Sequence, residues 1–255
     1  MTTRSLLALL LALALASVPL FGGTAFAAVN APAPHPTADP APYPTTHPIP
    51  HRAAHARARP ARPAAPRPAP TGMVEDERTA VSAVDGFWQR HFRDYFNRSY
   101  TSPRVFGGYV GTNGPTCGGA RSQPGNAFYC KPGNFLAWDE NLMSAGYQQI
   151  GDGWVYVIIA HEWGHAIQAQ VNRHLVAVEN ELQADCLAGA ALQGAQQDGA
   201  LRTEPGDNQE ISKALVAVAD KYPWTSSRDH GNAQQRVSAY NKGNRGGVPA
   251  CFATG

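Results

Sequence analysis

His161 and His165 stand four residues apart in the stretch WVYVIIAHEWGHAIQAQ, residues 154–170, with Glu162 between them. On a helix, residues four apart share a face, so the two imidazoles would lie side by side at a reach suited to one tetrahedral zinc ion. Glu162 is turned about 100° around the helix axis and falls beside such a metal, not on it. From there its carboxylate can take a proton from a water whose pKa zinc lowers to about 7. The HExxH pattern of these residues therefore points to zinc-dependent hydrolysis. Two histidines do not hold a catalytic zinc alone, and a third protein ligand is required.

A second pair with the same spacing supplies a candidate. Glu181 and Asp185 in NELQADC are also four apart, on a segment that reads as a helix. Two carboxylates among Leu182, Ala184, Leu187 and Ala188 have little reason to be there unless they serve a site. Only a short turn fits between His165 and Glu181, which makes the two helices antiparallel neighbours with these faces turned together. Glu181 is then the expected third ligand. Asp185, one turn on, is expected to accept a hydrogen bond from the non-metal nitrogen of His161 and so fix its tautomer. The arrangement HExxHxxGxxH is excluded, because its glycine and histidine positions are Gln168 and Val171. His174 is the remaining rival close in sequence and reads as a surface residue of the turn.

Two helices must hold these side chains. GDGWVYVIIAHEWGHAIQAQV opens at Asp152, a suitable cap, and runs to about Val171, with Val155, Ile158 and Ile159 burying it. Gly164 leaves room for another backbone or a substrate to pass close. VENELQADCLAGAALQGAQQ (178–197) is the second helix. DNQEISKALVAVADKY predicts a third, with Asp207 and Glu210 in a capping-box arrangement. Upstream, VEDERTAVSAVDGFWQRHFRDYF (74–96) has apolar residues at helical intervals. Between about Tyr100 and Asn141 the texture changes to glycine, proline and aromatic residues, and RVFGGYV, NAFYC and NFLAW predict short strands. The class expected is α+β.

The chain has 255 residues. Residues 1–27 have a basic start, an apolar run and small residues at Ala25 and Ala27, the layout of a secretory signal peptide cleaved after Ala27. No other stretch is long enough to span a membrane, so the mature protein is expected to be secreted and to lack a transmembrane segment. Residues 28–72 hold 13 of the 21 prolines and five arginines against one aspartate. That composition cannot bury a core and predicts a disordered Pro/Ala/Arg-rich linker. Beyond it, residues 73–255 form the expected catalytic domain, mildly acidic under a net chain charge of +2. The basic tail could hold that domain near an anionic cell envelope. Nothing supports nucleic-acid binding or an organic cofactor. Four cysteines in an exported chain favour two disulfides. Of three pairings, the proximity of Cys117 and Cys130 favours that pair, leaving Cys186 with Cys251.

HEWGHAIQ followed by ELQADCLAG resembles the bacterial putative neutral zinc metallopeptidase family. More distantly it is similar to the wider zincin group, thermolysin among them, in which a glutamate from an ExxxD helix completes HExxH. CGGARSQPGNAFYC, NFLAWDENLM, DHGNAQQR (229–236) and PACF extend the resemblance over about residues 80–253. In KPGNFLAWDENLM the family usually begins with a more acidic Pro-Ala-Asp. The resemblance implies a zincin-like fold and a zinc-dependent endopeptidase acting on peptide or protein substrates. It also implies that His230 hydrogen-bonds the oxyanion, that Arg236 orients it or binds substrate, and that Cys251 pairs with Cys186. NFLAW would then be a strand with which an extended substrate could pair. The competing expectations are a zinc-containing wall or partner-binding module, or a zinc hydrolase acting on cell-wall peptide amides.

Overall fold

The computed structural model describes residues 71–171, 175, 177–220 and 230–253. The expected signal peptide, nearly all of the expected linker and His174 lie outside these residues. Helix α1 (Thr71–Phe96) begins two residues inside the expected linker. Met73, Ala80, Val84, Phe87, Trp88 and Phe92 recur along it at helical intervals and are buried.

Strands β1 (Arg104–Tyr109), β2 (Ala127–Cys130) and β3 (Phe135–Asp139) form one sheet in the order β1-β3-β2. β1 runs parallel to β3, and β2 antiparallel to it. The strand within NFLAW is thus the middle one, buried at every position and paired on both edges. It cannot add a substrate strand, which corrects the expectation. An unbroken apolar run suits a central strand covered on both faces. β1 and β2 are the outer strands, each paired on one edge.

Helix α2 (Glu140–Gln149) follows directly, capped by Asp139, whose carboxylate accepts the N–H of Asn141. Helix α3 (Gly153–Val171) is apolar almost all round and accordingly buried almost all round. It packs against α1, α2, β2, α4 (Ala177–Gln197) and α5 (Asp207–Ala217). The space at Gly164 is filled by α4, since a Cβ there would lie 2.8 Å from the carbonyl oxygen of Ala184.

The expected capping box of α5 does not form. Gly206 turns the chain into the helix with no side-chain cap, and the Glu210 carboxylate instead accepts the N–H of Gly153, 3.1 Å away at the start of α3. A tertiary partner has taken the group that the local pattern assigned to α5. A capping box does form at Asn232 and Gln235, at the head of α6 (Ala233–Ala250). That helix was not anticipated, because Gly243, Gly246, Gly247 and Pro249 argue against one. Gly243 is the reason α6 can lie on α4: a Cβ there would come within 1.8 Å of the Cys186 carbonyl oxygen.

The disulfides are Cys117–Cys130 and Cys186–Cys251, the pairing expected. Their sequence separations, 13 and 65 residues, correspond to about 3 and about 4 kcal/mol of lost unfolded-state freedom. No described helix is long and apolar enough to cross a membrane. The architecture is a mixed α+β domain of six helices and a small three-stranded sheet among the described residues.

Candidate metal centre

α3 carries His161 and His165 one turn apart, with ring centroids 4.8 Å from each other. α4 presents Glu181 to both. Its Oε2 lies 3.2 Å from His161 Nε2, and its Oε1 lies 3.5 Å from His165 Nε2. The earlier histidine of α3 meets the later carboxylate of α4, His161 with Asp185, and the later histidine meets the earlier carboxylate, His165 with Glu181, so the helices run in opposite senses. His161, His165 and Glu181 are the only described group of three whose ligand atoms converge, all within 4.8 Å of one another.

The donor set fits zinc. Atoms held about 2.0–2.1 Å from one tetrahedral zinc lie roughly 3.3–3.4 Å apart; each histidine Nε2 here lies at a similar distance from one of the two Glu181 oxygens, and one ligand atom from each residue falls within 4.8 Å of the others. Each imidazole also turns its Nδ1 away from the carboxylate onto a separate acceptor. His161 Nδ1 lies 2.8 Å from Asp185 Oδ1, and His165 Nδ1 lies 2.8 Å from Gln168 Oε1. Those contacts leave both Nε2 atoms free to face a common centre.

Asp185 is fully buried and doubly held. Arg236, itself 4% exposed, donates from Nε to Asp185 Oδ2 and from Nη2 to Oδ1, both at 2.8 Å. Its Nη1 donates to the carbonyl oxygen of Val218. Arg236 was expected to orient His230 or bind substrate; its guanidinium clamps the carboxylate behind His161, a partner that the expectation did not name. The bidentate geometry is the one a guanidinium makes best.

Burial alone would lower the pKa of His161, but the charge and hydrogen bond of Asp185, joined by Glu181, carry it up to about 10. Burial would raise Glu181, yet hydrogen bonds to His161 and His165 hold it well below the usual carboxylate range. Asp185 is likewise lowered against its burial by the Arg236 hydrogen bonds and by His161.

Glu162 is buried on α3, and its carboxylate makes no hydrogen bond among the described residues. It borders a cleft of about 440 Å³ whose walls include His161, His165, Glu181 and the outer strand β2. His230 borders the same cleft, its side chain about half exposed. The backbone N–H groups of His230 and Gly231 both donate to Asp220 Oδ2. A larger cavity of about 610 Å³, beside Leu182, Lys242 and Cys251, holds no such convergence of ligand atoms.

The rim of the cleft was not foreseen. Tyr109 Oη bonds the carbonyl oxygens of Gln123 and Asn126, and Asp139 Oδ2 accepts the N–H of Gly125, so the chain entering β2 is pinned. The support of His165 by Gln168 was also missed. Its signal was a glutamine in a nearly unbroken apolar helix, three residues after a ligand candidate.

The family model described as "Putative neutral zinc metallopeptidase" matches residues 168–254. That span holds Glu181, Asp185, His230 and Arg236 and begins three residues after His165. The chain is 30% identical over 210 residues to "Uncharacterized protein YpfJ" of Escherichia coli (strain K12), covering 69% of this chain and 71% of that protein. It is also 30% identical over 205 residues to "Uncharacterized protein Mb2605" of Mycobacterium bovis and to "Uncharacterized protein Rv2575" of Mycobacterium tuberculosis, covering 66% of this chain and of each relative. No solved structure matches.

Proposed function

Because the chain belongs to the putative neutral zinc metallopeptidase family, we propose that it is a secreted zinc-dependent endopeptidase with a zincin-like catalytic core. The observation that carries this reading is the convergence of His161 Nε2, His165 Nε2 and the Glu181 carboxylate beside Glu162, in one open cleft.

His161, His165 and Glu181 would hold the zinc, which when bound supplies a Lewis acid that polarises the scissile carbonyl and acidifies the attacking water. Glu162 accepts that water's proton and returns it to the leaving amine nitrogen. His230, on the rim, donates a hydrogen bond to the oxyanion, a contribution of roughly 3 kcal/mol where such a donor is preorganised. Asp185, clamped by Arg236, keeps the His161 proton on Nδ1. β2 is an outer strand, and its residues Ala127, Phe128 and Tyr129 line the cleft, so an extended peptide would join it as a further strand. A purely structural zinc would need a fourth protein ligand, and the described residues offer three. Export through the signal peptide, consistent with two disulfides, places the enzyme outside the cytoplasm. The arginine-bearing tail would keep it near an anionic envelope.

The test is mass spectrometry of a diverse peptide library incubated with the protein before chelation, after it, and after zinc return. Zinc-restored cleavage is expected in wild type, with Glu162→Gln binding zinc but losing turnover by roughly 10²–10⁴-fold. Equal turnover in the variant would remove Glu162 as the base, and a zinc-loaded wild type that cleaves nothing would remove the peptidase reading.

A further inference from the structure

Gln168 and Gln183 are both buried, at 4% and 9% exposure, in the apolar interface of α3 and α4. A buried carboxamide is costly unless its hydrogen bonds are made. Here they are made in a line. Gln168 Nε2 lies 2.6 Å from the backbone oxygen of Asn180 and 3.3 Å from Gln183 Oε1. Gln183 Nε2 lies 3.0 Å from the backbone oxygen of Cys251.

The two backbone carbonyls can only accept, so they decide which way round both amides stand. Each Nε2 must face its carbonyl, and Gln168 Oε1 must then face His165 Nδ1. An amide oxygen cannot donate, so the His165 proton sits on Nδ1 and the lone pair sits on Nε2, the nitrogen turned toward Glu181. Asn180 Nδ2 also approaches His165 Nδ1, at 3.3 Å, but the 2.8 Å contact to Gln168 Oε1 is the shorter and decides.

We propose that Gln168 and Gln183 are positioning residues, a relay of buried amides that fixes the His165 tautomer and presents Nε2 to the metal. The relay ends on Cys251, whose disulfide to Cys186 ties that carbonyl to α4. His161 is set by a charged pair and His165 by a neutral line anchored on the disulfide. The proposal rests on the zinc reading above and adds residues to which that reading gives no role.

Zinc affinity of the full chain, read by chelator competition, tests it together with urea melts of the metal-free forms. Gln168→Met removes the acceptor and is expected to weaken zinc binding by about 10–100-fold. Gln168→Glu restores an acceptor at the price of a buried charge and of the donor to the Asn180 carbonyl, so it should bind zinc nearly as tightly as wild type while losing stability. Gln183→Met should lie between Gln168→Met and wild type in affinity. In the zinc-loaded protein, the Nδ1–H resonance of His165 should be protected from exchange in wild type and Gln168→Glu, and exposed in Gln168→Met. Wild-type affinity in Gln168→Met with the resonance retained would overturn the relay, as would Gln168→Glu binding as weakly as Gln168→Met. A wild type that takes up no zinc would overturn the metal reading and the purpose of the relay with it.

Discussion

Replacing Arg236 with methionine keeps most of the side-chain volume and removes both hydrogen bonds to Asp185 Oδ1 and Oδ2. Asp185 is completely buried, and His161 would be left as its single partner. Stripping one member from a buried ion pair costs about 3–5 kcal/mol, mostly because the other charge stays behind. Against a stability of about 5–15 kcal/mol for an ordinary domain, that is a large share. With a urea slope near 2 kcal/mol per molar, the midpoint should fall by roughly 2 M. Asp185→Asn should cost a similar amount by leaving Arg236 buried and unpaired, and the double variant should cost clearly less than the two together. The pH dependence has a defined sign. Burial would raise the Asp185 pKa, but Arg236 and His161 hold it below the usual range. Its contribution is therefore complete above the unfolded-state value of about 4 and is lost as pH falls through the lower folded value. Arg236→Met should flatten that acid limb. Urea unfolding followed by circular dichroism on chelated protein, from pH 7 down to pH 3, measures all of this. A midpoint shift below about 0.5 M, or strictly additive single effects, would refute the clamp.

Glu181→Ala should lose zinc by roughly 10–100-fold or more in chelator competition while remaining folded. Unchanged metal content there would return His174 to consideration as the third ligand. Glu77 offers a prediction away from the site: burial and then the charge of Glu140 push it up to about 7, against the hydrogen bond from Trp138 Nε1. A folded pKa above the unfolded 4.5 means that its contribution is present below pH 4.5 and is lost as pH rises through about 7. Glu77→Gln keeps an acceptor for Trp138, so it should remove most of that slope and stabilise the protein at pH 8 by about 2–3 kcal/mol in urea melts.

The ligand candidates were legible because their geometry is local. Four-residue spacing on a helix puts His161 beside His165 and Glu181 beside Asp185 whatever the rest of the chain does, and a short turn leaves few ways to pack the two helices. The partners that complete the arrangement were not local. Arg236 reaches Asp185 across 51 residues, and Glu210 leaves its own helix for Gly153, 57 residues back. No sequence period encodes either contact. α6 was hidden for a related reason. Its glycines lower helix propensity, and their purpose shows only when Gly243 meets Cys186. The strands were foreseen as strands, but their order was not, because apolar runs specify burial and leave partner choice to the tertiary fold. Even so, the unbroken apolar character of Phe135–Trp138 was a sign of a central strand that the edge-strand expectation overlooked.

Why should one histidine be backed by a charged pair and the other by an amide? With both imidazoles neutral, Glu162, Glu181, Asp185 and Arg236 leave the cluster two negative charges in excess, the complement of one divalent cation. A second carboxylate behind His165 would raise the excess to three and would need another buried arginine, at several kcal/mol of desolvation for each ion. A carboxamide supplies the same acceptor oxygen without a charge, and the backbone carbonyl of Asn180 and the side-chain oxygen of Gln183 accept from its amide nitrogen. Gln168 is therefore the residue type that orients an imidazole here while keeping the charge of the cluster matched to a dication. The same reasoning explains why Gln168→Glu should keep zinc affinity yet lower the stability of the metal-free protein. A bound dication lowers the excess from three charges to one, whereas the metal-free protein carries all three.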